Sequence, residues 1–166
     1  MPDLLNPEYL LRETILKDPS HAQAVEQLII LLIAKKDLIS AEEILVSCSV
    51  HLDNNILIYL NDKIRLHQNK LHQVAESIKS NPQFYKTEIR GLKQAVELFK
   101  KLDDEQNLIK YSRLLISNDF NNETLLHELA LSLTGEETLS EKIWLLEHLA
   151  YINPECKKYY HELLKD

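Results

Sequence analysis

Apolar side chains recur every three or four positions along most of the chain, with polar side chains between them. The first long run of this kind consists of Val25, Leu28, Ile29, Leu32 and Ile33. This spacing places the apolar residues on one face of an α-helix. No segment alternates apolar and polar residues well enough to predict a strand. The pattern therefore predicts an all-α protein, and its short linkers make neighbouring helices antiparallel.

Prolines, asparagines and aspartates divide this pattern into separate helices. Asn6-Pro7 has the cap-then-proline order that begins a helix, and Asp18-Pro19 ends one. The helices predicted in this way cover about residues 7–17, 21–34, 39–51, 55–68, 71–79, 84–101, 105–117, 123–134, 140–152 and 155–164.

A short echo in the sequence indicates that pairs of these helices repeat. The segment 125–129, Leu-Leu-His-Glu-Leu, returns at 159–163 as Tyr-Tyr-His-Glu-Leu. The two segments are 34 residues apart. Steps of 34 residues backwards from Glu123 reach similar patterns that begin at Ile89 and at Asn55, and a further step of 33 residues reaches Ala22. A regular step of this kind is the mark of a repeat protein. We therefore predict one domain over residues 1–166, with four blocks at 22–54, 55–88, 89–122 and 123–156 and a capping helix at 155–165.

The block that begins at Ala22 carries the clearest family features. Lys36-Asp37-Leu38 lies at the turn between its two helices, and the second helix has small, large and small apolar residues at Ala41, Leu45 and Cys48. In these features and in its period the chain resembles the tetratricopeptide repeat (TPR) family. The resemblance implies a right-handed superhelical solenoid of antiparallel helical hairpins. It also implies a concave surface, lined by the first helix of each hairpin, that binds a peptide or a partner helix.

The resemblance further implies which side chains face that concave surface. The second block fits the repeat only with a shift of one position, so either Tyr59 and Lys63 or Ile58 and Asp62 would face it. The predicted partner-binding residues are Glu26, Ile30, Ile33, Tyr59, Arg90, Lys93, Glu97, Lys100, His127 and Leu131.

Three of these residues, Arg90, Lys93 and Lys100, form a basic cluster along one helix face. Such a cluster is suited to holding the carboxylates of an acidic peptide. The alternative is an ordinary solvated helix face, on which Glu97 screens the neighbouring cations.

Composition restricts the classes of partner. The chain has 166 residues and a formal charge of −7, from 19 lysines and arginines against 26 aspartates and glutamates. A net negative protein is repelled by phosphate backbones, so we expect no nucleic-acid partner. The longest apolar run, at 28–34, is far too short to cross a bilayer, so we expect no membrane insertion.

The content of cysteine, glycine and histidine limits the chemistry. Cys48 and Cys156 form no C-x-x-C motif, and this favours a reducing compartment such as the cytoplasm. Two glycines cannot supply a phosphate-binding loop, and the seven histidines offer no set of four metal ligands. Carboxylate pairs such as Asp103-Asp104 fall at helix starts, where they cap the helix. We therefore expect no metal, no cofactor and no catalytic residue.

The sequence thus predicts a non-catalytic protein-protein interaction module, an adaptor or chaperone-like protein that binds an acidic or apolar peptide. Two alternatives belong to other classes. One is an interaction or regulatory domain of a longer enzyme, such as a transferase. The other is a structural homo-oligomer, for example a homodimer held by the apolar stretch 28–33, which is otherwise covered by the first helix.

Overall fold

Helices begin where the sequence places a capping side chain ahead of an apolar repeat. The side chains of Asp37, Asp53, Asp104 and Asn122, among others, each accept a hydrogen bond from the backbone N–H three positions later. These acceptors satisfy N–H groups that have no partner inside the helix. The side-chain amide of Asn107, and then its backbone N–H, hold the pKa of Asp104 below its ordinary value. The prediction that Asp104 caps a helix is therefore confirmed.

The computed structural model describes residues 6–164, and within that range the chain is helical and contains no strand. The all-α prediction is confirmed for these residues. Short 3-10 turns lie at Ser49–His51, Glu136–Thr138 and Pro154–Cys156. The helices are α1 (Pro7–Lys17), α2 (Ala22–Ala34), α3 (Leu38–Cys48), α4 (Asn54–His67), α5 (Leu71–Ser80), α6 (Phe84–Thr87), α7 (Ile89–Lys101), α8 (Glu105–Ile116), α9 (Glu123–Ser132), α10 (Leu139–Ile152) and α11 (Lys157–Glu162).

One predicted helix is in fact two. The periodicity predicts a single helix over about residues 84–101, but the backbone is extended at Glu88, with φ −87° and ψ 122°. Thr87 and Ile89 flank this break, and β-branched side chains of that kind lose rotamer freedom in a helix. The Glu88 carbonyl accepts a hydrogen bond from the N–H of Leu92 at 2.9 Å, so α7 begins directly after the break.

The turns that follow α2, α4 and α7 have the same backbone conformation. Lys36, Asn69 and Asp103 have positive φ angles of 62°, 59° and 53°. In each turn the next residue donates its N–H to the carbonyl five positions earlier, as Asp37 does to Leu32 at 2.9 Å. This is a helix C-terminal motif with a left-handed residue. The three positive-φ residues are almost evenly spaced in sequence, so the turn itself repeats along the chain.

Contacts within the chain define two compact units, one ending at Phe84 and the other beginning at Tyr85. In the N-terminal unit each helix from α1 to α5 packs against the next, and α2 also contacts α4. Its core contains Val25, Leu28 and Leu60. Burying one side chain of this size contributes about 2 kcal/mol. The sequence predicts a single repeat domain over residues 1–166, and that remains a prediction beside these two units.

The C-terminal unit is built in the same sequential way. Each helix from α7 to α11 packs against the next. Lys100 on α7 donates from Nζ to Oε1 of Glu128 on α9 at 2.6 Å. Arg113 on α8 donates from Nε to Oε1 of Glu141 on α10 at 2.8 Å. These ion pairs place α7 beside α9 and α8 beside α10.

The apolar stretch in α2 is mostly buried. Leu28, Ile29, Leu32 and Ile33 lie in the core, whereas Ile30 is exposed. Helix α2 packs against α1, α3 and α4, so neighbouring helices cover this stretch. The longest described helices, α4 and α10, have 14 residues each, and none of those between residues 6 and 164 has both the length and the apolar composition that a bilayer crossing needs.

Candidate functional site

The predicted basic cluster lies on the exposed side of α7, in the C-terminal unit. Lys93 and Lys100 are two helical turns apart, which puts them on the same side of the helix about 10 Å from each other. Both side chains are exposed, and half-buried Glu97 lies between them. The ion pair from Lys100 to Glu128 continues this surface onto α9, where Leu131 is 48% exposed. We call these five residues the α7–α9 face.

Charges on the α7–α9 face are partly matched. Lys100 pairs with Glu128, and Glu97 pairs with Lys101 at 3.3 Å between Oε1 and Nζ. Exposed pairs of this kind contribute between zero and about 1 kcal/mol to stability. Each lysine can therefore leave its partner and pair with a carboxylate of a ligand at a small cost in free energy. Lys93 has no carboxylate within ion-pair distance among residues 6–164. Arg90 is exposed on the same helix and has interactions of its own.

The four predicted residues in the N-terminal unit do not all reach the surface. Ile30 is 41% exposed, and Glu26 is half-buried and has interactions of its own. The expected exposure of Ile33 and Tyr59 needs correction, because their exposed fractions are only 8% and 9%. Ile33 belongs to the apolar stretch that the neighbours of α2 cover. The ammonium group of Lys63 lies 5.4 Å from the centre of the Tyr59 ring and screens one of its faces.

Neither register predicted for α4 describes it correctly. Tyr59 and Asp62 are both buried, whereas Ile58 and Lys63 are both half-buried. A shift of one position rotates a helix by about 100°, so each register mixes inward and outward positions. The buried Asp62 carboxylate accepts a hydrogen bond from Nη1 of Arg65 at 2.9 Å.

His127 is engaged inside the C-terminal unit. Its Nε2 atom lies 3.2 Å from the hydroxyl of Tyr159, and its ring contacts the rings of Tyr159 and Tyr160 edge-on. The Tyr160 hydroxyl and the Asn153 side-chain amide both donate to Oε1 of Glu123 at 2.7 Å. These contacts join α11 to α9, and the His127 side chain takes part in them.

The network shifts the pKa of two of its members. The hydrogen bond from Tyr160, and then that from Asn153, hold the pKa of Glu123 below its ordinary value of 4.5. Burial, followed by the hydrogen bond to Glu123, raises the pKa of Tyr160 well above its usual range. Neither Glu123 nor Asn153 was predicted as part of this network, although the echo at 159–163 marks the helix that it holds.

The lowered pKa of Glu123 gives a pH-dependent prediction. Its stabilising effect is present above its ordinary pKa and is lost as the pH falls through the lowered value in the folded state. In Glu123→Gln, we expect the loss of unfolding free energy relative to wild type to be largest near neutral pH and to shrink below pH 4.5. Urea denaturation followed by circular dichroism at a series of pH values measures this difference.

A matched control for Glu123→Gln is Glu155→Gln. The Glu155 side chain is exposed and makes no side-chain hydrogen bond among the described residues. Its replacement should leave stability nearly unchanged at every pH. A stability difference for Glu123→Gln that stays constant from neutral to acidic pH would show that the carboxylate is not held as described.

Opposite charges that meet across the helices show a regular separation in sequence. Lys35 pairs with Glu8, and Lys70 pairs with Glu42. The pairs of Lys100 with Glu128 and of Arg113 with Glu141 have nearly the same separation along the chain. Glu128 was not among the predicted site residues, although this recurring spacing of opposite charges could have indicated it as the partner of Lys100.

A set of metal ligands and a pair of cysteines would be two further kinds of site among the described residues. No three side chains of the histidine, cysteine, aspartate or glutamate type come together to hold a metal ion within residues 6–164. Cys48 is buried, Cys156 is half-buried, and neither forms a disulfide.

The chain matches no family model, no curated protein and no solved structure.

Proposed function

We propose that this chain is a non-catalytic protein-interaction module of the TPR type, with an adaptor or chaperone-like role. The observation that carries the proposal is the positive-φ turn that recurs at Lys36, Asn69 and Asp103. The TPR family places its turn between the two helices of each hairpin at a similar interval. Three helix pairs of the chain, α2/α3, α4/α5 and α7/α8, have this turn.

Packing in the C-terminal unit supports a stack of hairpins. The ion pairs join α7 to α9 and α8 to α10, so first helices meet first helices and second helices meet second helices. Continuation of this order would produce the proposed right-handed solenoid of antiparallel hairpins. In such a solenoid the first helices line one continuous surface.

The proposed ligand of the α7–α9 face is an extended acidic segment of a partner protein. Lys93 and Lys100 are about 10 Å apart along the helix. In a peptide with the extended polyproline II conformation, side chains three positions apart lie on the same side and are separated by about 9 Å. Two carboxylates with that spacing can each accept a charge-assisted hydrogen bond from one lysine. Leu131 adds an apolar contact on the adjacent helix.

Two further elements belong to the proposal. A cytoplasmic location fits two cysteines that form no disulfide. The same face would serve in a module that works alone and in a domain of a longer enzyme. A homodimer held by the apolar stretch 28–33 is disfavoured, because Leu28, Ile29, Leu32 and Ile33 are buried inside the N-terminal unit.

Charge reversal tests this proposal directly. The probe is a blocked, fluorescently labelled heptapeptide, with glutamates at its first, fourth and seventh positions and leucines between them. We expect saturable binding by fluorescence anisotropy, and we expect Lys93→Glu with Lys100→Glu to weaken it about tenfold or more, because two charge-assisted hydrogen bonds become repulsions.

The control reverses two lysines that do not belong to this face, Lys79→Glu with Lys158→Glu. Both side chains are exposed, and the change in net charge is identical. If binding depended only on net charge, the two double variants would be equally weak, because both are more negative than wild type by the same amount. That result, or unchanged binding by Lys93→Glu with Lys100→Glu, would contradict the proposed site.

A further inference from the structure

Four aromatic side chains form an exposed cluster on α10 and the loop before α9. The rings of Trp144 and His148 are parallel within 2°, with centroids 5.5 Å apart. Phe120 contacts both rings edge-on, at 5.8 Å from Trp144 and 6.1 Å from His148. The Tyr151 ring also stacks with His148, at 6.4 Å between centroids. We call these four residues the aromatic cluster.

The aromatic cluster is both accessible and held in place. Trp144 is 46% exposed and Tyr151 is 81% exposed. The Nε2–H group of His148 donates to the backbone carbonyl of Phe120 at 3.0 Å, which fixes the central ring. Clustered exposed aromatic side chains are uncommon on a protein surface and are enriched where partners bind. Rings that are already ordered lose little conformational entropy on binding.

A carboxylate on α10, Glu147, lies beside the aromatic cluster, and the cation of Lys157 lies across the groove on α11. Glu147 is exposed and lies three positions after Trp144 and four before Tyr151, so it shares their side of α10. Glu147 and Tyr151 line an open groove of about 480 Å³, which Lys157 and His161 of α11 also line. The cation of Arg113, on the neighbouring helix, is matched by Glu141 at 2.8 Å.

Exposed ring faces beside a carboxylate are suited to a guanidinium group. Arginine stacks on aromatic rings and at the same time forms paired hydrogen bonds with a carboxylate. A purely apolar ligand would cover Glu147 without a partner, which costs free energy. An acidic ligand would be repelled by the same carboxylate.

We propose that the aromatic cluster and Glu147 bind an arginine side chain on a segment of a partner protein. The guanidinium group lies on the Tyr151 ring and pairs with Glu147, and Trp144 contacts the flanking chain. This surface is separate from the α7–α9 face in residues and in ligand charge. The proposal therefore stands whether or not that face binds acidic peptides.

Trp144 is the only tryptophan of the chain, so its fluorescence reports on this surface alone. The probe is a blocked heptapeptide in which three arginines alternate with glycines, titrated into the full chain at near-physiological salt. The comparison peptide carries citrulline, which has nearly the same shape but no charge. We expect a saturable change in Trp144 fluorescence with the arginine peptide and a several-fold weaker response with citrulline.

Variants of the full chain separate this site from general attraction to an acidic protein. We expect Glu147→Gln and Tyr151→Ala each to weaken binding about three- to tenfold. Glu43→Gln, which removes one exposed charge from α3, should leave it unchanged. A thermal melt checks that Tyr151→Ala is folded, as expected for so exposed a side chain.

Three results would overturn the proposal. The first is equal binding of the citrulline and arginine peptides. The second is equal binding by Glu147→Gln and Glu43→Gln, which would indicate non-specific attraction. The third is self-association of the wild-type chain, seen by light scattering and abolished in Tyr151→Ala, since the cluster would then be an interface between two copies.

Discussion

Leu126→Ala is expected to lower the free energy of unfolding by about 3 kcal/mol. The Leu126 side chain is completely buried in α9, which packs between α8 and α10. Truncation removes apolar contacts and leaves a cavity that the surrounding helices fill only in part. Urea denaturation followed by circular dichroism measures the loss as a lower midpoint with a similar slope.

Leu131→Ala is the matched control for Leu126→Ala. It is the same substitution in the same helix, but Leu131 is about half exposed. We expect its cost to stay below about 1 kcal/mol, because little apolar area is removed from the interior. Equal costs for the two variants would mean that α9 does not present the inward and outward faces described for it.

Arg65→Gln is expected to lower the free energy of unfolding by about 2 to 3 kcal/mol. Arg65 donates to the carboxylate of Asp62, which is fully buried. Removing the guanidinium group leaves a buried negative charge with less compensation, and that costs more than the loss of an exposed pair. Urea denaturation at neutral pH gives the difference.

Lys79→Gln provides the control for Arg65→Gln. Lys79 pairs with Glu76 at 2.9 Å with the same spacing in sequence, but both side chains are largely exposed. The expected cost is below about 0.5 kcal/mol. If Arg65→Gln cost no more than Lys79→Gln, the Asp62 carboxylate would not depend on Arg65 for its burial.

Local chemistry was sufficient to predict most of the helices. The prediction of a first helix over 7–17 matches α1, because a cap and a proline begin it and Asp18-Pro19 ends it. The break at Glu88 was missed, since the apolar repeat continues through it. The spacing of apolar residues shows which residues share a helix face. It does not reveal a single extended residue between two helices when the apolar spacing continues unchanged from one helix to the next.

The side of each helix that faces solvent was harder to predict than the residues at which the helix begins and ends. Ile33 and Tyr59 were expected on an open groove and are buried, because the neighbours of α2 and α4 decide what is covered. Asp62 was placed outward in one of the two registers that the repeat allows for the second block. Its partner, Arg65, lies one helical turn away, so the pair could have been recognised from the spacing.

The aromatic cluster could not be predicted from the sequence alone. Trp144, His148 and Tyr151 have the spacing of one helix face, which is equally typical of a buried core stripe. Phe120 joins them from the loop before α9, and only the packing of α10 brings it there. Exposure separates a binding surface from a core, and exposure depends on tertiary structure.

Amide chemical shifts of the isotope-labelled chain, titrated with the glutamate peptide, test the central claim most directly. The account predicts that the largest shift changes fall on α7 from Lys93 to Lys100 and on α9 around Glu128 and Leu131. Changes centred on α3 or α5, or no changes when the peptide is saturating by anisotropy, would contradict a peptide-binding surface on the α7–α9 face.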